Sequence, residues 1–420
     1  MTGDVDPERY TATMREAFSN KENLAKLFGL IAPYFDPTDP PLVYILTQSN
    51  RIGHFMLEPQ VLKTLYGPRY SRIVVITQPM RLPGTNTAVR DCFGDQFAWI
   101  ETDDQVLTSL GFVDGGLADF GQLHLLFSSP RTLFRDFWRH VVAGTRPTLL
   151  SLPDAVRDRG HEQLRGIGID PEAPFAFFHV RTDRYKAGKE KHLHRTTSIE
   201  HYQSSIRRLL DSGYQVVRIG EAGLEPPDWN WDGYASLPDA LPGLAPDDRA
   251  VDLAVLADAA FGTAQNSGPI WVAAAFGVST LRTNTPYEHL NLPYNRDLTL
   301  FKHCVDRTTG NRLGYREILD RRIPAIIRDR EFDVAGIDMV ANDPDEIDAA
   351  TQDFLDLLKG GPAGLAAEDA ARFLALGQDY ERSISADPAI KAEMLDFYGY
   401  AHPFGTIARV TPQAQPGFLD

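Results

Sequence analysis

The stretch from residue 175 to 221 limits the folds open to this chain more than any other. Phe175 to Val180 is a continuous apolar run of strand length. Ile199 to Leu210 then places Ile199, Tyr202, Ile206, Leu209 and Leu210 at helical spacing, Ser212-Gly213 stops that helix, and Tyr214 to Ile219 is a second apolar run. Strand, helix and strand in this order form the building block of a parallel sheet. Arg181 follows the first strand. Arg218 closes the second, just before Gly220. Open α/β sheets hold their ligands beyond the carboxyl ends of the strands, and two guanidiniums beside a glycine suit a phosphorylated ligand. An ion pair at a strand end is the plain alternative for either arginine. Between the strands lie Arg184, Lys186, Lys189, Lys191, His192, His194 and Arg195, a dense positive run in a chain of net charge -15. It reads as a solvated loop or as a cover over a bound anion.

The rest of the chain alternates strands and helices in the same way. Residues 8 to 34 carry an amphipathic pattern (Met14, Phe18, Leu24, Leu27, Phe28, Ile31), and Asp36-Pro37 to Pro40-Pro41 is a stiff linker. Leu42 to Leu46 and Arg72 to Thr77 read as strands and Phe97 to Ile100 as a third. Phe55 to Tyr66 reads as a helix interrupted at Pro59. Leu123 to Val142 shows no single period. Pro153 to Pro174 is expected to connect two domains. Beyond it, Asp252 to Ala260 and Gly268 to Phe276 read as helices, Phe261 to Thr263 and Val278 to Arg282 as strands, and Ile347 to Leu358 and Ala366 to Leu376 as a helical end. The expected division is a first α/β domain over 1–150, a second over 151–345 and a helical tail over 346–420.

Candidate chemistry falls at strand ends. Asn266-Ser267-Gly268 follows a short strand and opens an apolar helix, where Ser is a good N-cap and Gly lets a phosphate approach free amides. An ordinary helix cap has the same residues. His54, in Asn50-Arg51-Ile52-Gly53-His54 after the first strand, is of a residue type suited to a general base; a hydrogen-bonded loop histidine is the alternative, and Glu58 is a fallback base. His179, His192, His194 and His201 have no acidic residue or cysteine to complete a ligand set, so no metal is expected. Trp229, Trp231 and Tyr234 fit either a stacking platform or a core anchor. Gly115-Gly116 to Gly121 is not a dinucleotide fingerprint, since no clear strand precedes it.

His179-Val180-Arg181, His194-Arg195-Thr196, Val217-Arg218-Ile219-Gly220, Ser267-Gly268-Pro269, Phe276-Gly277-Val278, Thr283-Asn284 and Asn342 to Ile347, with Arg51-Ile52-Gly53-His54 upstream, together resemble a bacterial family of GT-B-type glycosyltransferases. The likeness is densest from 175 to 290. The His-x-Arg element is also similar, more weakly, to eukaryotic fucosyltransferases. One departure is that Gly262-Thr263 lies farther from Ser267-Gly268 than the family's Gly-Thr pair does. The resemblance implies an α/β GT-B fold, two Rossmann-like domains facing a cleft, with a tail that returns to the first domain. It implies a nucleoside diphosphate sugar as donor, bound by His179, Arg181, Arg195, Arg218, Gly220, Asn266, Ser267, Gly268, Thr283 and Asn284. Arg51, Gly53 and Glu58 then lie on the acceptor side, with His54 as the base for a hydroxyl or amine of a small-molecule or glycan acceptor. No cofactor or metal is implied. A sugar-nucleotide epimerase of the same fold and a non-catalytic nucleotide-sugar-binding protein stay open beside the transferase.

Composition narrows the classes. With 43% hydrophobic residues over 420 positions, the chain can bury more than one core. It has no apolar run of about 18 residues, so no transmembrane segment is expected. The N-terminus is polar and acidic, unlike a signal peptide. Cys92 and Cys304 are the only cysteines, which fits a reducing, cytoplasmic setting. The acidic balance argues against nucleic-acid binding.

Overall fold

The computed structural model describes residues 20–82, 84–182, 193–224, 229–287, 296–326, 328–361, 364–386 and 406–420. The basic residues Arg184, Lys186, Lys189, Lys191 and His192, and the amphipathic positions before residue 20, lie outside them. The chain divides into two compact units. One takes in Met1–Val156 and Leu244–Leu253, the other Arg157–Gly243 and Ala254–Asp420.

The first unit holds a five-stranded sheet of β1 (Leu42–Leu46), β2 (Ile73–Thr77), β3 (Phe97–Glu101), β4 (Gly116–Asp119) and β5 (His124–Phe127), in the order β3-β2-β1-β5-β4. All pairings are parallel except β4 with β5. Every residue of β1 and β2 is buried, which is why both strands are unbroken apolar runs rather than alternating ones. Val43, Ile45, Val74 and Ile76 meet Leu27 and Ile31 of the helix Lys21–Ile31 in one core. The helix expected to break at Pro59 instead runs through it, as Ile52–Leu65. Proline removes one backbone bond, and the burial of Phe55, Met56, Leu57, Val61 and Leu62 around it keeps the helix continuous. The ambiguous stretch after Leu123 resolves into β5 and the helix Pro130–Val142, whose start is capped by Ser129. Residues 244–253 join this unit through Asn86 Nδ2 on the Arg249 carbonyl (2.8 Å) and Thr87 Oγ1 on Asp247 (2.7 Å).

The second unit holds a six-stranded sheet of β6 (Phe175–His179), β7 (Gln215–Ile219), β8 (Tyr234–Ser236), β9 (Phe261–Ala264), β10 (Thr280–Thr285) and β11 (Leu298–Phe301). Its order is β11-β10-β9-β6-β7-β8 and every pairing is parallel. Counted from β6, this is the doubly wound order 3-2-1-4-5-6, which reverses direction between β6 and β9. The expected helix after residue 198 begins as a 3-10 turn, Ile199–Tyr202, and continues as Gln203–Asp211. Ile206 and Leu209 from it, with Ile347, Phe354 and Leu355 from the helix Pro344–Leu358, cover one face of the sheet. Gly262 meets a further packing constraint: a Cβ there would stand 2.0 Å from the Phe177 ring. Trp229 and Trp231 stack at 4.8 Å and are buried in the same core, so they anchor the fold and offer no platform to a ligand. Residues 406–408 pair with the outer strand β11 through Thr299. A short antiparallel pair, β12 (His303–Asp306) with β13 (Ile337–Val340), adjoins a further core of Tyr315, Phe373 and Phe418. Among the described residues no helix is long and apolar enough to cross a membrane.

Candidate functional site

In a doubly wound sheet the crevice for ligands opens at the carboxyl ends of the strands where the order reverses. In the second unit that point lies between β6 and β9, and the segments leaving it are His179-Val180-Arg181-Thr182 and Gln265-Asn266-Ser267. Gln265 ties the two together. Its amide N–H donates to the His179 carbonyl (3.2 Å), and its side-chain oxygen accepts from the Arg181 N–H (2.5 Å).

The polar groups here are buried but incompletely satisfied. His179 Nδ1 and Asn266 Nδ2 are enclosed and have no hydrogen-bond partner, in residues 7% and 3% exposed. Buried polar groups are almost always paired, so two orphans at one strand edge mark a place built for something else to bind. Burial, with the charges of Arg218 and Arg181, pulls the His179 imidazole down to about 3. It is therefore neutral at physiological pH, with one N–H to give and one lone pair to offer. Gly220 comes up against it at φ 117°, and a Cβ there would lie 3.2 Å from the His179 ring. Glycine alone among the amino acids takes that backbone angle readily with so little room for a side chain.

Ser267 stands before the helix Gly268–Ala275, but its side chain makes no cap hydrogen bond. The alternative of an ordinary serine cap is therefore not what is found: the backbone at Ser267 is fully extended, φ -154° and ψ 171°. Pro269 supplies no N–H, and the amides of Ser267 and Gly268 meet no acceptor among the described residues. Free amides at a helix start, with the helix dipole behind them, favour an anion.

The candidate arginines separate. Arg181, 9% exposed, sits at the crevice. Arg218 is fully buried and is held by Ser236 (2.9 Å) and by Asp239 (3.1 Å). It adds positive potential beside His179, and its Nη2 is engaged by the Ser236 hydroxyl and the Asp239 carboxylate. Arg195 is half-buried in the turn Leu193–Arg195. That turn is anchored by Asp329, which accepts from the Leu193 and His194 amides (2.8 and 3.1 Å) and from the His194 ring (2.6 Å). Burial alone would raise the Asp329 carboxyl; the His194 ring and the two amides outweigh it and hold it well below the usual range. Buried Lys302, just after β11, clamps the same segment by donating to the Thr196 carbonyl (2.6 Å). Burial brings that ammonium down to about 8.

Thr283 and Asn284 are not presented to a ligand. Both are fully buried: Thr283 Oγ1 bonds the Tyr202 hydroxyl (2.7 Å), and Asn284 donates to the same oxygen (3.0 Å) while exchanging backbone-to-side-chain bonds with Asn342 (3.0 and 2.8 Å). Asn284 adopts φ 49°, a left-handed backbone that this reciprocal amide pair stabilises. The pair therefore fixes the end of β10 rather than meeting sugar hydroxyls.

The first unit has its own reversal between β1 and β5, and the segment leaving β1 leads to His54. His54 Nδ1 meets Glu58 Oε1 at 2.7 Å, and Tyr44 Oη donates to Glu58 Oε2 at 2.6 Å. Glu58 is wholly buried, whereas the His54 side chain keeps 28% exposure. Burial and the Glu58 charge drive the Tyr44 phenol well above its ordinary value, so it stays protonated and donates. Glu58, expected as a fallback base, is thus enclosed behind His54 with both oxygens engaged; it orients the imidazole. An imidazole oriented by a buried carboxylate is an arrangement that can serve as a base, the logic of a catalytic triad. Gly53 is buried in the first turn of the same helix, and Arg51 stands exposed at its start. Thr47 Oγ1 and Ser49 Oγ, buried after β1, also lack partners.

Sequence reasoning passed over Tyr44, Thr182, Glu221 and Gln265. Tyr44 reads as one more apolar residue of a strand, and an acidic residue after Gly220 reads as a turn. Among the described residues no three His, Cys, Asp or Glu side chains gather as metal ligands.

No protein-family profile matches the chain. No curated protein matches it either. Among solved structures, a glycosyl transferase family 9 protein from Veillonella parvula DSM 2008 is similar over 64% of this chain and 87% of its own, at 11% identity and a TM-score of 0.36. The E. coli ADP-heptose lps heptosyltransferase II is similar over 62% of this chain and 90% of its own, at 14% identity and 0.35. The iron-containing heptosyltransferase TibC, solved in complex with ADP-D-beta-D-heptose, is similar over 61% of this chain and 60% of its own, at 13% identity and 0.33. The α/β class of both units rests on their own strand order and register.

Proposed function

We propose that the protein is a glycosyltransferase whose donor is a nucleoside diphosphate sugar, held at the carboxyl edge of the second unit's sheet. The observation that carries this reading is the set of unsatisfied groups at the β6/β9 reversal: the enclosed His179 and Asn266 side chains and the open amides of Ser267 and Gly268, beside Arg181. These are donors for a diphosphate, and neutral His179 adds one more without changing the site's charge. In the reaction, His54 takes the proton of an acceptor hydroxyl or amine and the acceptor atom bonds the anomeric carbon. The bond from that carbon to the diphosphate breaks, and the diphosphate leaves with the electron pair. Arg181 and the helix-start amides then face the charge that develops, a stabilisation that needs no divalent ion.

Calorimetric titration of ADP, GDP, UDP, CDP and dTDP, each beside its bare nucleoside and with EDTA present, tests the donor site. One diphosphate binding at least tenfold tighter than its nucleoside, unaffected by EDTA, is the expected result. Failure of all five removes the reading. Consumption of the matching nucleotide sugar without any acceptor would assign the site to an epimerase instead.

A further inference from the structure

The turn that leads from β1 to His54 carries three enclosed polar side chains in a row. The Arg51 N–H closes this turn on the Gln48 carbonyl (3.0 Å), so Thr47, Gln48 and Ser49 lie one tight turn before the helix Ile52–Leu65. Among the described residues, Thr47 Oγ1, Gln48 Oε1 and Ser49 Oγ have no hydrogen-bond partner. Buried polar groups are almost always paired, so three consecutive orphans beside a candidate base call for a ligand of their own. Gly111 packs against the Thr47 methyl: a Cβ there would stand 2.7 Å from Thr47 Cγ2. That contact holds the methyl and leaves the hydroxyl on the other branch of the side chain. His54 also lies beside an aromatic ring. Its centroid is 6.1 Å from that of Phe134, on the helix Pro130–Val142, with 33° between the planes. Phe134 is only half-buried.

These groups discriminate between kinds of acceptor. The Thr47 and Ser49 hydroxyls both donate and accept, whereas the Gln48 oxygen only accepts. A phosphate has no proton for the Gln48 oxygen. An ammonium has no lone pair for the two hydroxyl protons, and the Glu58 carboxylate that would balance its charge already has both oxygens engaged. Neutral hydroxyls, which give and take hydrogen bonds, satisfy all three side chains. A half-buried aromatic ring supplies the apolar surface that the C–H face of a sugar covers. We infer that Phe134, Thr47, Gln48 and Ser49 form a subsite for a neutral pyranose ring, so that the group presented to His54 is a hydroxyl of an uncharged sugar rather than an amine or a phosphorylated compound. This rests on His54 as the base of the proposed transferase.

The test is nitrogen-15 NMR of the histidine rings in the full chain, with the His54 signals identified by their loss in His54→Ala. Methyl α-glucopyranoside, methyl α-galactopyranoside and methyl α-mannopyranoside are titrated as neutral probes, cyclohexylamine as the cationic one and glucose 6-phosphate as the anionic one. At least one neutral sugar should shift the His54 signals, with a Kd in about the millimolar range for a ligand of this size, and neither charged probe should bind more tightly. Phe134→Leu keeps the apolar bulk without the ring face, and Thr47→Val replaces the hydroxyl by a methyl. Each should weaken sugar binding by roughly twofold to tenfold. A purely structural role would lower Tm and leave the sugar affinity as it was. Unchanged affinity in either folded variant, or tighter binding of a charged probe, overturns the inference. So does the lack of a response to all three sugars. If a nucleoside diphosphate still binds, that last result leaves the donor site in place; if none binds, it removes the proposed function as well.

Discussion

Replacing Glu58 by Gln tests how His54 is set up as a base. In the wild type the carboxylate receives two donors, Tyr44 Oη at 2.6 Å and His54 Nδ1 at 2.7 Å. His54 Nδ1 therefore carries a proton, and in the neutral ring Nε2 is the nitrogen left to take one. An amide has one oxygen and one NH2, so it cannot serve both donors. If the amide oxygen faces His54, the NH2 faces the Tyr44 oxygen and the phenol proton loses its acceptor. Tyr44 is fully buried, and an unsatisfied buried donor costs about 1–3 kcal/mol. If the oxygen faces Tyr44 instead, the NH2 donates to His54 Nδ1 and the imidazole proton moves to Nε2. The second arrangement satisfies every group, so it is the stable one, and it blocks the base. Turnover should then fall by on the order of a hundredfold or more, the usual contribution of a general base. Folding stability should change far less. Two readouts check this: nitrogen-15 NMR of the His54 ring for the tautomer, and release of nucleoside diphosphate for the rate. A wild-type ring protonated at Nε2 would refute the reasoning. So would a Glu58→Gln variant with unaltered tautomer and near-normal turnover.

Other outcomes follow from the second unit. His179 keeps a pKa of about 3 when folded, against 6.5 for the free side chain. Between those values the unfolded chain binds the extra proton, so acid weakens the fold progressively from pH 6.5 down to about 3, by a few kcal/mol at about 1.4 kcal/mol per unit. Urea unfolding at pH 7 and pH 4.5 should show a smaller loss in His179→Gln than in wild type; an equal loss would mean that the ring is solvated. Arg282 and Asp297 form an ion pair at 2.7 Å with both side chains 1% exposed. Arg282→Met should destabilise the second unit by about 3–5 kcal/mol, the usual penalty for stranding a buried charge, and a change under about 1 kcal/mol by denaturant titration would contradict that burial. Gly220→Ala should cost about 1–3 kcal/mol through backbone strain and shift the His179 ring resonances, whereas an unshifted ring would show that the 3.2 Å approach is not real.

The parallel sheets were readable because buried parallel strands are continuous apolar runs, as in Leu42–Leu46 and Phe175–His179. Their carboxyl ends could be located from Arg181, Gly220 and Ser267 alone. Strands β4, β5, β8, β11, β12 and β13 escaped, since segments of three or four residues such as His303–Asp306 carry too few positions to set a period. The ion pair of Arg218 with Asp239 was not legible either, because Asp239 lies on a segment whose course depends on the fold. Pro59 misled for a related reason, because helix propensity is overruled when the surrounding turns are buried. Thr283 and Asn284 looked like strand-end polar residues open to a ligand, and only their bonds to Tyr202 and Asn342 reveal an interior lock.

The claim at the centre is that Arg181 and the amides after β9 hold a diphosphate. Titrating the preferred nucleoside diphosphate and its bare nucleoside into wild type and Arg181→Ala tests it most directly. A charge-assisted hydrogen bond contributes about 1.5–3 kcal/mol, so the variant should bind the diphosphate roughly tenfold to a hundredfold more weakly, with the nucleoside unchanged. Equal losses for both ligands, or none for either, would make Arg181 a scaffold residue and contradict the assignment of the donor to this edge of the sheet.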